Sequence, residues 1–240
     1  MITRRLTAPL VRRGGTSMRK PKIPEAAIKR LPVYLRVLEE TAAAEIQIIS
    51  SAELADKTGF SPEQIRKDLA YFGAFGTRGV GYDTVLLSRR IARILGLHQG
   101  VNAALIGAGH LGYALARYSI SRHKDVRITA IFDKDPAKIG TEIMGITIRP
   151  MSDLIAAVKE LNIKIGILTV PASEAQATAE QLQEGGVEAI LNFAPAKLRL
   201  GPGVFVQNID LTIEMQSLAY YTSASEEAAH ADENSSPVES

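Results

Sequence analysis

Up to about residue 95 the apolar positions recur every three or four residues, and beyond residue 100 they arrive in short unbroken runs. The first pattern is that of helices with one buried stripe, the second that of strands buried on both faces. From Pro24 to about Glu40, Ala27, Leu31, Leu35 and Leu38 share a stripe, with Pro24 suited to a first helical position. Pro32 predicts a kink or a split in that helix. A second short helix runs from Ser51 as N-cap through Leu54 and Ala55 to a Gly59 stop. A third opens at Ser61-Pro62-Glu63-Gln64, where Ser61 caps, Pro62 takes the first position and Gln64 completes a capping box. The tight Thr58–Ser61 connection makes the last two a helix-turn-helix. Gly73, Gly76, Gly79 and Gly81 then exclude helix, and Val80 and Tyr82 favour extended backbone, so a small hairpin or wing follows. Val85 to about Leu95 is helical again and connects to the second half.

In that half, extended apolar segments at 101–106, 126–132, 163–169, 187–191 and 203–207 alternate with helical ones at 111–121, 152–161 and 173–184. Such alternation predicts a parallel sheet covered on both faces. A last helical pattern at 210–221 carries Leu211, Met215, Leu218 and Tyr221, a stripe with nothing left to cover it inside a small fold and therefore directed at a second subunit. Residues 1–22 lack apolar periodicity and the apolar stretch of a secretory signal and are expected to be a mobile extension; 223–240, acidic and Ser/Ala-rich, are expected to be disordered.

Composition narrows the function classes. The chain has no Cys and four scattered His, which excludes disulfides and thiolate chemistry and argues against a His-built metal site. No apolar run approaches the roughly 18 residues of a membrane span. The net charge of +2 hides an asymmetry: residues 1–85 carry 14 Lys+Arg against 9 Asp+Glu, and the remainder 14 against 17. The front of the chain is thus the part suited to a polyanion, although seven of its 14 basic residues lie in the first 22.

Two motifs carry chemistry. Gly107-Ala108-Gly109-His110-Leu111-Gly112 follows a strand and opens a helix. In such a loop the first glycine permits a tight turn, the second a close backbone approach to a pyrophosphate, and the third helix–strand packing. Asp133 ends the next strand 21 positions after Gly112, where a dinucleotide site places a carboxylate for a ribose hydroxyl. Asp133 repels a 2′-phosphate and so favours NAD(H), while Lys134 beside it weakens that preference. The strand-end loops Leu168-Thr169-Val170-Pro171 and Asn192-Phe193-Ala194-Pro195 are placed to line a nicotinamide pocket. They supply apolar shape, not acid or base, and His98, His110 and His123 are poorly placed for catalysis, which favours sensing over turnover.

The other motif is the third helix. Ile65, Leu69 and Phe72 are spaced to be buried, leaving Gln64, Lys67 and Tyr71, with Arg66 beside them, on a wet face suited to major-groove edges and phosphates. Arg78, at the wing tip, is suited to a minor groove.

These residues resemble one known family. Ile23-Pro24-Glu25-Ala26-Ala27-Ile28, Gln64-Ile65-Arg66-Lys67-Asp68-Leu69, Phe75-Gly76-Thr77-Arg78-Gly79-Val80-Gly81-Tyr82, the glycine loop, Leu168–Pro171 and Asn192–Pro195 are similar to the motifs of the redox-sensing transcriptional repressor Rex family. The resemblance covers about Lys22 to Tyr221. It implies an α/β chain with a winged-helix DNA-binding domain (23–84), a linker helix (85–100), a Rossmann-like doubly wound NAD(H)-binding domain (101–208) and a C-terminal helix (209–222) swapped between subunits of a homodimer. It implies a cytoplasmic repressor of respiratory or fermentative genes, bound to palindromic operators and released by NADH in competition with NAD⁺. Its DNA contacts fall on Arg66, Lys67 and Arg78, and its redox-linked contacts between domains and subunits on Arg36, Tyr118 and Asp210. The alternative is an NAD-dependent dehydrogenase with an accessory N-terminal domain.

Overall fold

A computed structural model describes residues 23–73, 75–77, 79–122 and 125–233; the expectations for residues 1–22, Arg78, His123 and 234–240 lie outside the described residues. The chain divides into two compact units between Leu95 and Gly96.

The first unit begins with α1 (Glu25–Ala43), which buries Ala27, Leu31, Tyr34, Leu35, Val37 and Leu38 along one side. Pro32 does not split it. Pro32 and Ile28 both lie on the exposed side, so solvent is at hand for the Ile28 carbonyl that proline leaves without a donor. Strand β1 (Ile48–Ile49) leads into α2 (Ser51–Thr58) and α3 (Pro62–Ala70). The N-cap of α2 is Ser50 and not Ser51, because Glu53 stands three residues after Ser50 and completes a reciprocal capping box with it. Only half of the expected box forms on α3: Ser61 Oγ accepts from the Gln64 N–H at 3.2 Å, while the Gln64 side chain turns to Asp68. Beyond α3 the chain pinches at a Thr77–Gly81 bridge and returns as β2 (Tyr82–Asp83), antiparallel to β1. Two glycines are sterically required there: a Cβ on Gly76 would lie 2.6 Å from the Gly81 carbonyl oxygen, and one on Gly81 2.6 Å from that of Ile49.

Helix α4 (Thr84–Ile94), capped by Asp83, buries Leu87, Ser88 and Ile91 and packs against α1. The expected linker over 85–100 is therefore corrected: its helix is a core element of the first unit, and the remainder is a single 3-10 turn, Leu97–Gln99, between Gly96 and Gly100.

The second unit runs β3 (Val101–Ile106), α5 (His110–Arg122), β4 (Val126–Asp133), β5 (Glu142–Ile143), β6 (Ile146–Pro150), α6 (Leu154–Glu160), β7 (Ile163–Leu168), α7 (Ala172–Gly185), β8 (Ala189–Asn192), β9 (Phe205–Asn208) and α8 (Leu211–Glu233). The strands form one sheet in the order β5-β6-β4-β3-β7-β8-β9, all parallel except β5. Alternate residues of β3 feed opposite faces. Ala104 and Ile106 meet α6 and α7, and Ala103 and Leu105 face Ala108 and Ala116 on the other side. A register shift opposite Thr129 resets the alternation of β4, so that Ile128 and Ile131 face one layer and Ala130 and Phe132 the other. The chain leaves β3 toward β4 and β6, then crosses to build β7, β8 and β9 on its other side. The crevice at the carboxyl ends of β3 and β7 is thus the topological switch point, where open α/β sheets bind ligands. Helix α8 continues past the expected end at residue 222 through 223–233, a stretch rich in Ala and Glu and free of Gly and Pro that favours helix.

Candidate functional site

The glycine loop lies at that crevice, and each glycine there has a distinct steric reason. Gly107 turns with φ +97°, and a Cβ on it would lie 2.7 Å from the Thr169 carbonyl oxygen. A Cβ on Gly112 would lie 1.9 Å from the Gly107 carbonyl oxygen, so only glycine lets α5 start this close to β3. A Cβ on Gly109 would meet nothing within 4 Å. It would stand in the open cleft, in the place a pyrophosphate needs, beside the unpaired first-turn N–H groups of α5. Thr169 holds this loop from β7: its hydroxyl donates to the Gly107 carbonyl at 2.7 Å and lies 3.0 Å from that of Ile106.

The cleft has a volume of about 730 Å³. Gly107, Gly109, Leu111, Asp133, Thr169, Val170, Pro171 and Phe193 all line it, joined by Lys134, Asp135, Pro136, Lys138, Met151 and Glu174. Of the last group only Lys134 is singled out in the sequence; the Asp133–Pro136 turn after β4 is the available signal for its neighbours. Leu111, Met151, Val170, Pro171 and Phe193 offer flat apolar surface for rings, and the glycines and helix start offer an anion cradle. These residues fit a dinucleotide.

Asp133 is 6% exposed. Its Oδ2 accepts from the Ala108 N–H at 2.7 Å and from Lys138 Nζ at 3.2 Å, and its Oδ1 from the Asp135 N–H at 2.9 Å. Burial pushes its pKa up, but the Asp135 and Ala108 amides and the Lys138 ammonium outweigh that and hold it below the usual carboxylate value. It is an anion tied to the loop. Lys134 donates to Glu174, at the start of α7, and the pairing raises the Lys134 pKa. Every charged side chain among the described lining residues is thus in an ion pair.

Four expected cofactor residues do not line the cleft. Asn192 is fully buried and spent on its own loop: its amide donates within 3.1 Å to the Ala194 and Ala196 carbonyls and to Asn208 Oδ1, and its Oδ1 accepts from the Ala194 N–H. It shapes the turn that presents Phe193. Ala108 is buried, with its N–H given to Asp133, Gly112 is buried in the first turn of α5, and His110 is exposed at the helix start.

In the first unit, Arg66 and Lys67 are exposed on α3. Arg66 donates to Ser51 Oγ at 2.7 Å and to Glu63 Oε1 at 2.8 Å, which ties it to the start of α2 beside the wing. Gln64 is half-buried, its amide donating to Asp68 Oδ1 at 2.7 Å, and Tyr71 is the half-buried C-cap of α3. Phe72 is only half-buried, past the end of the helix. The group missed in the sequence is Asp68. Fully buried on α3, it accepts from Arg30 and Tyr34 of α1 as well as from Gln64.

Arg36 is exposed on α1 and Tyr118 on α5. Asp210 caps α8, its Oδ1 accepting from the Thr212 N–H at 2.9 Å and the Ile213 N–H at 3.3 Å. Leu211, Ile213, Met215, Leu218, Tyr220 and Tyr221 of α8 are all exposed, by 51 to 70%. Among the described residues no helix is long and apolar enough to cross a membrane, and no group of three or more metal-ligating side chains gathers.

Known proteins match both units. Residues 22–70 match a family model described as "Putative DNA-binding protein N-terminus", and residues 98–196 one described as "CoA binding domain". A redox-sensing transcriptional repressor Rex of Natranaerobius thermophilus is 48% identical over 198 residues, 82% of this chain and 90% of that protein. One of Streptomyces griseus is 40% identical over 240 residues, 99% of this chain and 92% of that protein. The crystal structure of RSP in complex with β-NAD⁺ and operator DNA aligns with 89% of this chain and 99% of its own, at 34% identity and a TM-score of 0.79. That of RSP in complex with β-NADH aligns with 88% and 99%, at 33% identity and a TM-score of 0.75.

Proposed function

The chain belongs to the redox-sensing transcriptional repressor Rex family, and from that membership we infer that it is a DNA-binding repressor whose grip on its operator answers to NADH and NAD⁺. One observation carries the reading: a helix-turn-helix unit and a dinucleotide cleft occur in one chain, and the likeness to Rex proteins runs through both. It is a regulator and not an enzyme.

In this reading α3 enters a major groove with Arg66 and Lys67, aided by Gln64 and Tyr71, and Arg78 of the wing reaches the neighbouring minor groove. Gly107, Gly109 and the start of α5 hold the pyrophosphate, Asp133 accepts from a ribose hydroxyl, and Val170, Pro171 and Phe193 bound the nicotinamide end, with Thr169 keeping the loop in shape. The nicotinamide would supply no chemistry here beyond its oxidation state, which changes its charge and shape. A ligand shifts an equilibrium only through different affinity for two states, so the two forms must favour different subunit arrangements.

We assign the dimer contact to α8, whose exposed apolar side chains suit exchange with a second copy. Arg36, Tyr118 and Asp210 are the contacts expected to distinguish the arrangements. In one arrangement the two recognition helices stand about 34 Å apart, one helical turn on a palindrome. Such a protein works beside the genome, in the cytoplasm.

The decisive experiment is a mobility shift on palindromic promoter DNA with NADH and NAD⁺ added separately. Release by NADH and retention with NAD⁺ are expected. Equal retention with NADH absent or saturating would overturn the reading.

A further inference from the structure

We propose that Glu174, by pairing with Lys134 at the mouth of the cleft, is the residue that excludes 2′-phosphorylated dinucleotides and so sets NAD(H) over NADP(H). The proposal rests on the dinucleotide reading above and deepens it. Lys134 directly follows the ribose-binding Asp133, a place from which a cationic side chain can reach a ribose 2′-phosphate and offset the repulsion of Asp133. In the structure it does not stand free: its ammonium donates to Glu174 Oε1, 40 residues further along the chain on the first turn of α7. The other lysine of the lining, Lys138, is held by Asp133 at 3.2 Å and by Asp135 at 3.7 Å. Among the described lining residues, three carboxylates thus face two ammonium groups, both already engaged. A 2′-phosphate dianion would have to break a pair or rest uncompensated beside Asp133, whereas a 2′-hydroxyl needs only an acceptor. Asp133 alone does not account for the exclusion, because a free Lys134 would counter it.

The test is titration of the full-length protein with NADH and with NADPH, read as the ratio of the two affinities. Glu174→Gln keeps the shape of the side chain and frees Lys134, and should shift the ratio toward NADPH by about three- to tenfold, less at high salt. Lys134→Gln leaves Glu174 an unpaired anion at the mouth and should move the ratio further toward NADH, never toward NADPH. The double variant should lose the gain. An unchanged ratio in Glu174→Gln overturns the proposal, as does a ratio that moves toward NADPH in Lys134→Gln alone, or a gain that survives in the double variant. A Glu174→Gln protein that binds neither nucleotide also overturns it, by making Glu174 a support of the site. A parent protein that does not bind NADH refutes the functional reading instead.

Discussion

Arg30 grips Asp68 through two parallel hydrogen bonds of 2.6 and 2.8 Å, and through that grip the first helix sets the attitude of the helix expected to read DNA. The carboxylate is fully buried and takes two further donors, the Tyr34 hydroxyl and the Gln64 amide, both at 2.7 Å. Phe60 closes the site, edge-on to Tyr34 and beneath the Arg30 guanidinium. A buried charge this fully satisfied specifies one arrangement more than it adds net stability, because desolvation offsets most of the attraction.

Removing one partner is another matter. Asp68→Asn leaves Arg30 without its counter-ion and should destabilise the first unit by about 3 kcal/mol, the low end for a broken buried pair because Arg30 can still reach water. Hydrogen exchange on the full chain should show lost protection over α1 and α3, and operator affinity should fall. Unchanged protection there would mean that the network is ornamental to the fold.

The same group gives the first unit an acid limit. Burial raises the Asp68 pKa, but Arg30, Tyr34 and Gln64 together hold it below the ordinary value. A folded-state pKa lower than the unfolded one, about 3.9, contributes stability that is fully present above that value. It is lost as pH falls through the lowered folded-state value. Exchange protection of α3 measured from pH 5 downward should therefore decline in the parent and decline less in Asp68→Asn. Parallel profiles would remove Asp68 as the cause.

Most of the dinucleotide site was readable in the sequence because its signals are local. Gly107, Gly109, Gly112 and Asp133 sit on consecutive elements, and their spacing follows from one strand, one helix and one more strand. Asp68 was not readable: its partners Arg30 and Tyr34 lie 38 and 34 residues away, and a charged residue on a polar helix face reads as solvated. The β5–β6 hairpin at the sheet edge was missed because its strands are short and hold only Ile143, Ile146 and Ile148 as apolar signal, while the β4 strand that recruits β6 lies elsewhere in the sequence. Asn192 read as a pocket residue from its place at a strand end. Only the surrounding carbonyls of Ala194 and Ala196 show that its amide is spent within the turn.

Two glycine substitutions should separate folding from binding. Gly112→Ala places a carbon 1.9 Å from the Gly107 carbonyl oxygen, which forces α5 off β3; loss of both stability and NADH binding is expected. Gly109→Ala meets no protein atom and needs no left-handed backbone, so the unit should keep its melting temperature within a few degrees while NADH affinity falls at least tenfold. Calorimetry and NADH titration on both variants check this. Gly109→Ala binding NADH as the parent does would place the pyrophosphate elsewhere.

Asp133 is better tested as Asn than as Ala, since alanine would also strand the Ala108 amide and the Lys138 ammonium. Asp133→Asn keeps an acceptor oxygen but loses the charge and one of two acceptors. A drop of roughly ten- to a hundredfold in NADH affinity is expected, the worth of a hydrogen bond to a charged group. Titration of nicotinamide fluorescence measures it, and an unaltered curve would discharge Asp133 from ribose binding.

Asp210 presents a harder case, because two roles overlap in one carboxylate. As the expected partner in a redox-linked contact it needs its negative charge; as the N-cap of α8 it needs only an oxygen that accepts from the Thr212 and Ile213 amides. Asp210→Ala removes both and costs about 1 kcal/mol of helix stability, so a lost response in that variant is ambiguous. Asp210→Asn keeps the cap, Asn and Asp being equally good there, and removes only the charge. If the charge carries the switch, Asp210→Asn and Asp210→Ala should both hold operator DNA with and without saturating NADH alike while still binding NADH measurably. If Asp210→Asn releases DNA on NADH addition as the parent does and Asp210→Ala does not, the residue acts by anchoring the start of α8, and the coupling runs through the position of that helix.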